Sequence, residues 1–218
     1  MNTFKLKIFL LTLWISTSFV SLGQDFGKFG IRAGATMPSN ILNTLLSKGV
    51  GLGIQANSSY FYQVRGRFTA EAIKYTPSNQ AYVTSIYNYN TSTIEVADLT
   101  CRNFATLDGA IGLDYKILPD QLPWFYCGPE VLVGMDLAGF TYSNANFLDN
   151  LSVATFLHSA FKLNFGFEKS LGPINIFGEY SLMRTKSQIY DVQKPSAYSN
   201  GETMFNYYSH KFTVGIKF

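Results

Sequence analysis

Residues 161–168 read Phe-Lys-Leu-Asn-Phe-Gly-Phe-Glu, and that alternation decides the fold. Phe161, Leu163, Phe165 and Phe167 fall on one parity; Lys162, Asn164, Gly166 and Glu168 fall on the other. A helix of 3.6 residues per turn mixes these two sets, whereas a strand sends them to opposite faces. The C-terminus repeats the pattern, with Phe212, Val214, Ile216 and Phe218 against Lys211, Thr213, Gly215 and Lys217. Near the start, Phe29, Ile31, Ala33, Ala35 and Met37 oppose Gly30, Arg32, Gly34 and Thr36.

Such runs predict eight strands at 27–37, 49–61, 64–75, 103–117, 124–137, 156–168, 174–183 and 209–218. The third is the least clean, because Ile73 and Tyr75 share a parity with Arg65, Arg67 and Glu71. The links alternate in length. Those at 62–63, 118–123 and 169–173 are short; those at 38–48, 76–102, 138–155 and 184–208 are long. Alternating short turns and long loops mark an up-and-down outer-membrane barrel. An 11-residue strand at ~3.3 Å per residue, tilted ~40°, rises roughly 28 Å, enough to cross the apolar band. Aromatics including Phe29, Tyr60, Tyr62, Tyr115, Trp124, Phe167 and Phe218 fall at the end that carries the short turns, where an interfacial girdle belongs.

The sense of the alternation separates a membrane barrel from a soluble one, which is apolar inside. Arg32, Arg65, Arg67, Lys116, Lys162, Lys211 and Lys217 share a parity with Glu71, Asp108, Asp114, Glu130, Asp136, Glu168 and Glu179. Gly30, Gly34, Gly51, Gly53, Gly112, Gly128, Gly134, Gly166 and Gly215 lie on the same side. Small residues beside long, mutually neutralising charges suit a narrow lumen. The other parity is nearly free of charge, Lys74 being the exception. The expected fold is an all-β, eight-stranded antiparallel up-and-down transmembrane β-barrel with a luminal charge network.

Composition agrees. Charged residues are 14% of the chain, against ~25% in soluble domains. Aromatics reach 16%, which excludes a disordered chain. A net charge of +3 without a basic cluster excludes nucleic acid as a partner. Two His and two Cys do not make a four-ligand zinc site unaided, nor a disulfide framework. Cys101 and Cys127 fall at opposite ends of the strands and are expected to be free thiols.

The first 23 residues read as a secretory signal, with Lys5 and Lys7 before an apolar stretch from Ile8 to Leu22 and small Ser21 and Gly23 at the cut. The barrel domain is then 24–218.

The sequence resembles the PorT-like small outer-membrane barrels of Bacteroidota. The features that carry the resemblance are the signal ending at Gly23-Gln24, the opening Phe29-Gly30-Ile31-Arg32-Ala33-Gly34, the segment Phe125-Tyr126-Cys127-Gly128-Pro129-Glu130, and the terminal Phe218. The resemblance implies an outer-membrane location and, for some members, a part in type IX secretion.

Eight strands enclose a lumen that side chains fill. The expected role is therefore a non-enzymatic structural, surface-binding or assembly component, monomeric and without a cofactor or metal. Its expected partners are outer-membrane lipid and lipopolysaccharide, with a protein or glycan at the Tyr- and Asn-rich loops that include Tyr82, Tyr87, Tyr142, Tyr190, Tyr198, Tyr207 and Tyr208. Two alternatives stand beside it. One is an accessory component of type IX secretion. The other is a rim-active lipid-modifying enzyme using His158 and His210, which are expected near the outer rim beside Ser159 and Ser209. Two lesser expectations concern the loops: a short helix over 41–48, and Asn144, Asn146, Asp149 and Asn150 as turn formers rather than calcium ligands.

Overall fold

The computed structural model describes residues 27–39, 44–78, 80–88, 92–143, 151–190, 198–199 and 204–218. Its strands are β1 (Lys28–Ser39), β2 (Leu46–Asn57), β3 (Val64–Pro77), β4 (Tyr82–Asn88), β5 (Thr93–Tyr115), β6 (Phe125–Ser143), β7 (Leu151–Leu171), β8 (Ile174–Tyr190), β9 (Tyr198–Ser199) and β10 (Met204–Lys217). Eight of them form the barrel in the order β3-β2-β1-β10-β8-β7-β6-β5, and antiparallel pairing of β3 with β5 closes it. The two chain-end strands join at one seam. Phe29 and Phe218 exchange backbone hydrogen bonds of 3.1 and 2.8 Å there.

The wall has the inverted polarity read from the sequence. Val50, Leu52, Val131, Val133, Phe161, Phe212 and Val214 are exposed on the outside. Arg32, Asp114, Glu130, Lys162 and Lys217 are buried within. This is the distribution of a barrel whose wall meets hydrocarbon.

One end of the barrel, the turn end, carries the tight connections. Leu171 pairs with Ile174 across Gly172-Pro173, where Gly172 has φ 73°, a region that costs glycine nothing. The β2–β3 connection is longer than the expected 62–63. β2 stops at Asn57, and 58–60 leave the ladder before a Phe61–Val64 bridge. The β5–β6 link spans 116–124 and closes with Leu122 N donating to Leu118 O at 2.7 Å.

The other end, the loop end, departs most from expectation. The connection expected over 76–102 is largely a hairpin: β4 pairs with the first part of β5, from Tyr82–Leu99 to Asn88–Thr93. Strands β6, β7, β8 and β10 likewise run past their expected ends. The expected helix at 41–48 is not formed over its described part: only 44–45 are helical, and strand begins at Leu46. Residues 41–43 lie outside the described set, as do the signal segment and Asn144, Asn146, Asp149 and Asn150.

A bulge explains why the alternation stops near 103. The register of β5 against β6 shifts between Cys101 and Asn103. One extra residue inverts which parity faces in. Leu107 is exposed below the bulge, and Ile94 and Val96 are exposed above it.

Candidate functional site

The lumen is the place where chemistry-bearing side chains converge. Inward positions of strands far apart in sequence supply them, and they stack in tiers along the barrel axis.

The turn-end tier centres on Arg65. Its Nε lies 2.8 Å from Asp114 Oδ2, and its Nη2 lies 2.7 Å from Glu168 Oε2. Lys217 Nζ reaches the same Glu168 oxygen at 2.7 Å, and Asn175 Nδ2 donates to the other at 2.5 Å. The Arg65 guanidinium also lies 4.7 Å from the Tyr60 ring and 5.3 Å from Tyr126.

The middle tier is the densest. Arg67 pairs with both Asp114 and Glu179. Arg32 meets Glu179 at 3.3 Å and Glu71 at 3.8 Å, and donates to Gln55 Oε1 at 3.2 Å. Glu71 also pairs with Lys211. Glu130 takes Lys162 at 2.9 Å, Thr69 Oγ1 at 2.6 Å and Asn164 Nδ2 at 2.7 Å. The Tyr126 hydroxyl donates to Glu179 at 3.2 Å. A buried charge is tolerable only when it is paired and its remaining lone pairs are met. Each middle-tier carboxylate has a cationic partner.

The loop-side tier differs. Among the described residues, no Lys or Arg forms an ion pair with Asp108 or Asp136. His158 sits between them, with Nε2 3.1 Å from Asp108 and Nδ1 2.8 Å from Asp136. Ser187 Oγ donates to Asp136 at 3.0 Å.

Above it the lumen turns apolar. Leu45, Leu46, Ile73, Tyr75, Cys101, Phe104, Ala138, Phe140 and Tyr207 form one buried cluster. Tyr75 and Phe104 meet edge to face at 5.5 Å between centroids. This cluster accounts for the parity of Ile73 and Tyr75 with Arg65 and Arg67: all point inward, at different heights. It also places Tyr207, expected in an outer loop, inside the barrel.

Close packing shapes the tiers. A Cβ on Gly128 would fall 1.7 Å from the Leu113 carbonyl oxygen, and one on Gly166 would fall 2.3 Å from the Tyr126 ring. Glycine is required at both positions by approach distance rather than by dihedral.

Of the residues singled out from sequence, Arg32, Arg65, Arg67, Glu71, Asp114, Glu130, Lys162, Glu168 and Glu179 are brought together, with Lys211 and Lys217. Asp108 and Asp136 join His158 instead. Lys116 stands apart at the turn-end mouth, 4.4 Å from the Tyr60 ring. His158 and His210 do not meet. His158 is buried in the lumen, while His210 is exposed on the outer wall with its Nδ1 2.7 Å from the Tyr180 hydroxyl. The rim pair expected for catalysis is absent because residues 158 and 210 sit on opposite faces of their strands. The parity of His158, shared with Lys162 and Asn164, carried that information.

The turn-end mouth opens into a cavity of about 570 Å³. Tyr60, Arg65, Lys116, Trp124 and Glu168 are among the residues that line it. Burial pushes the Tyr60 phenol up to about 12, so the ring stays neutral beside its two cations.

No family model matches the chain, and no curated protein matches it. Similar solved structures include Neisserial surface protein A, at 13% identity over 87% of this chain and 94% of that one, with a TM-score of 0.41. Another is a major outer membrane protein from Thermus thermophilus, at 14% identity over 88% of this chain and 98% of that one, with a TM-score of 0.37.

Proposed function

We propose that this chain is a small integral outer-membrane β-barrel that neither conducts nor catalyses, and that acts as a surface-binding or assembly component. The lumen carries this reading. Its tiers of ion pairs and the apolar cluster above them fill the inner face with mutually paired or close-packed side chains. An eight-stranded barrel has room for little else. The enclosure of His158 between two carboxylates supports a structural use of that ring.

The lipid-facing wall supports lipopolysaccharide as a partner. Lys48, Lys74, Arg102, Arg184 and Lys186 are exposed toward the loop end. None has a carboxylate partner among the described residues. They form a cationic collar at the edge of the apolar belt, at the height where phosphorylated headgroups lie. The loop end would then face outward and the turn end the periplasm.

Two measurements on the detergent-extracted protein test this reading. A folded barrel migrates faster on a gel before boiling than after, and it gives no conductance steps in a planar bilayer. Sustained ohmic steps would overturn the filled-lumen reading.

A further inference from the structure

We propose that the turn-end mouth of the barrel is a binding cup for an acidic sugar, with the cup's unpaired cations holding the carboxylate and its amide and indole groups holding the ring. The cup's volume of about 570 Å³ is that of a small-molecule site and far exceeds a lone ion.

The charge balance of the lining favours an anion. Lys28, Arg65, Lys116 and Lys169 line the cup against the single carboxylate of Glu168. Glu168 is already engaged by Arg65, Lys217 and Asn175. Lys28, Lys116 and Lys169 have no carboxylate partner among the described residues. The Tyr60 ring, which carries Arg65 and Lys116 at 4.7 and 4.4 Å, fixes the Lys116 ammonium at the mouth.

A second, independent observation points to a ligand. Asn57 lines the cup and is 1% exposed. Gln55 Nε2 donates to its Oδ1 at 2.8 Å, which sets the orientation of the amide. Its Nδ2 is buried with no hydrogen-bond partner among the described residues. Buried donors are rarely left unmade, so the wall of the cup holds a donor whose partner is not among the described residues. Asn175 Oδ1, also buried and unpartnered, is the matching acceptor for a hydroxyl or amide N–H. A donor, an acceptor, three lysines without a carboxylate partner among the described residues and the half-exposed Trp124 indole line one cup, and together they match a hydroxyl-bearing ring with a carboxylate. The inference stands on the cup itself; in the orientation proposed above, the cup opens on the periplasm.

The test is titration of the folded barrel in detergent with N-acetylmuramic acid, N-acetylglucosamine and inorganic phosphate, read by Trp124 fluorescence and calorimetry. The proposal expects saturable binding of the carboxylated sugar, at least about tenfold tighter than either the neutral sugar or phosphate, as a charge-assisted contact implies. Lys116→Gln should weaken that binding several-fold, and Asn57→Ala should do the same. Val131→Ala, on the outer wall away from the cup, should leave it unchanged. If Asn57→Ala fails the heat-shift criterion for folding, Lys116→Gln carries the test alone. The proposal is overturned by no saturation with N-acetylmuramic acid, by equal affinity for the neutral sugar or for phosphate, or by a Lys116→Gln variant that binds as the parent does.

Discussion

Arg32 and Glu179 stand 147 positions apart in the chain and meet at 3.3 Å inside the lumen, both shut off from solvent. The pair ties β1 to β8, which are not neighbours in the sheet: β10 lies between them. Such a pair bridges non-adjacent strands, and Arg67 of β3, which also pairs with Glu179, reaches it from the opposite side of the barrel, whereas backbone ladders act only between neighbours.

Removing one partner leaves the other charged and buried. Glu179→Ala strips a carboxylate from both Arg32 and Arg67 and is expected to cost about 3–5 kcal/mol, the range for breaking a buried ion pair. Urea unfolding of the barrel in micelles measures this as a lowered midpoint. In the double variant Arg32→Met with Glu179→Ala, the loss should be smaller than the sum of the two single losses.

Packing at the inner wall makes a separate prediction. Gly128→Val puts a branched side chain where a Cβ alone meets the Leu113 carbonyl at 1.7 Å. The β5–β6 ladder cannot form there without shifting, so folding yield should collapse, with the heat-modifiable band lost. Val131→Ala, one tier away and 55% exposed on the outer wall, should keep that band.

The collar predicts a lipid dependence. Reversing Arg184 and Lys186 to glutamate should slow insertion into vesicles containing lipid A and leave insertion into phosphatidylcholine vesicles unchanged. Equal rates in both lipids would remove lipopolysaccharide from the account.

Cys101 and Cys127 are both free. Cys101 is buried toward the loop end, with its Sγ donating to Asn103 O at 3.3 Å. Cys127 pairs with Tyr115 and Phe165, close to the turn end. The intact mass under nonreducing conditions should equal that of the reduced chain. A loss of two hydrogens would contradict the register of β5 and β6.

Within the apolar belt the fold was legible because lipid acts on every second residue. A charge on the outer parity there costs ~2–4 kcal/mol, so the alternation at 161–168 and 212–218 is clean. Beyond the belt that pressure lapses. The hairpin of β4 with β5, the extended ends of β6 to β8 and the bulge at Cys101–Asn103 therefore left no simple period. The luminal ion pairs were legible as a parity, though their partners were not. Nothing local says that Arg67 takes Asp114 and Glu179 while His158 takes Asp108 and Asp136. Ile73 and Tyr75 looked like defects in β3 because an apolar cluster inside a charged lumen is invisible until height along the axis is known. The cup at the turn end depends on three connections meeting at one mouth, which no single segment announces.

Which face of the wall meets hydrocarbon decides where this barrel resides. Nitroxide labels at the consecutive positions Leu132 and Val133, introduced as single cysteines with Cys101 and Cys127 replaced by serine, test it in lipid vesicles. Leu132 is buried in the lumen and Val133 is 64% exposed on the outer wall. The label at 133 should relax strongly with lipid-dissolved oxygen and weakly with a water-soluble nickel chelate, and the label at 132 should be shielded from both. A label at 132 in contact with oxygen-bearing lipid while that at 133 is shielded would contradict the account.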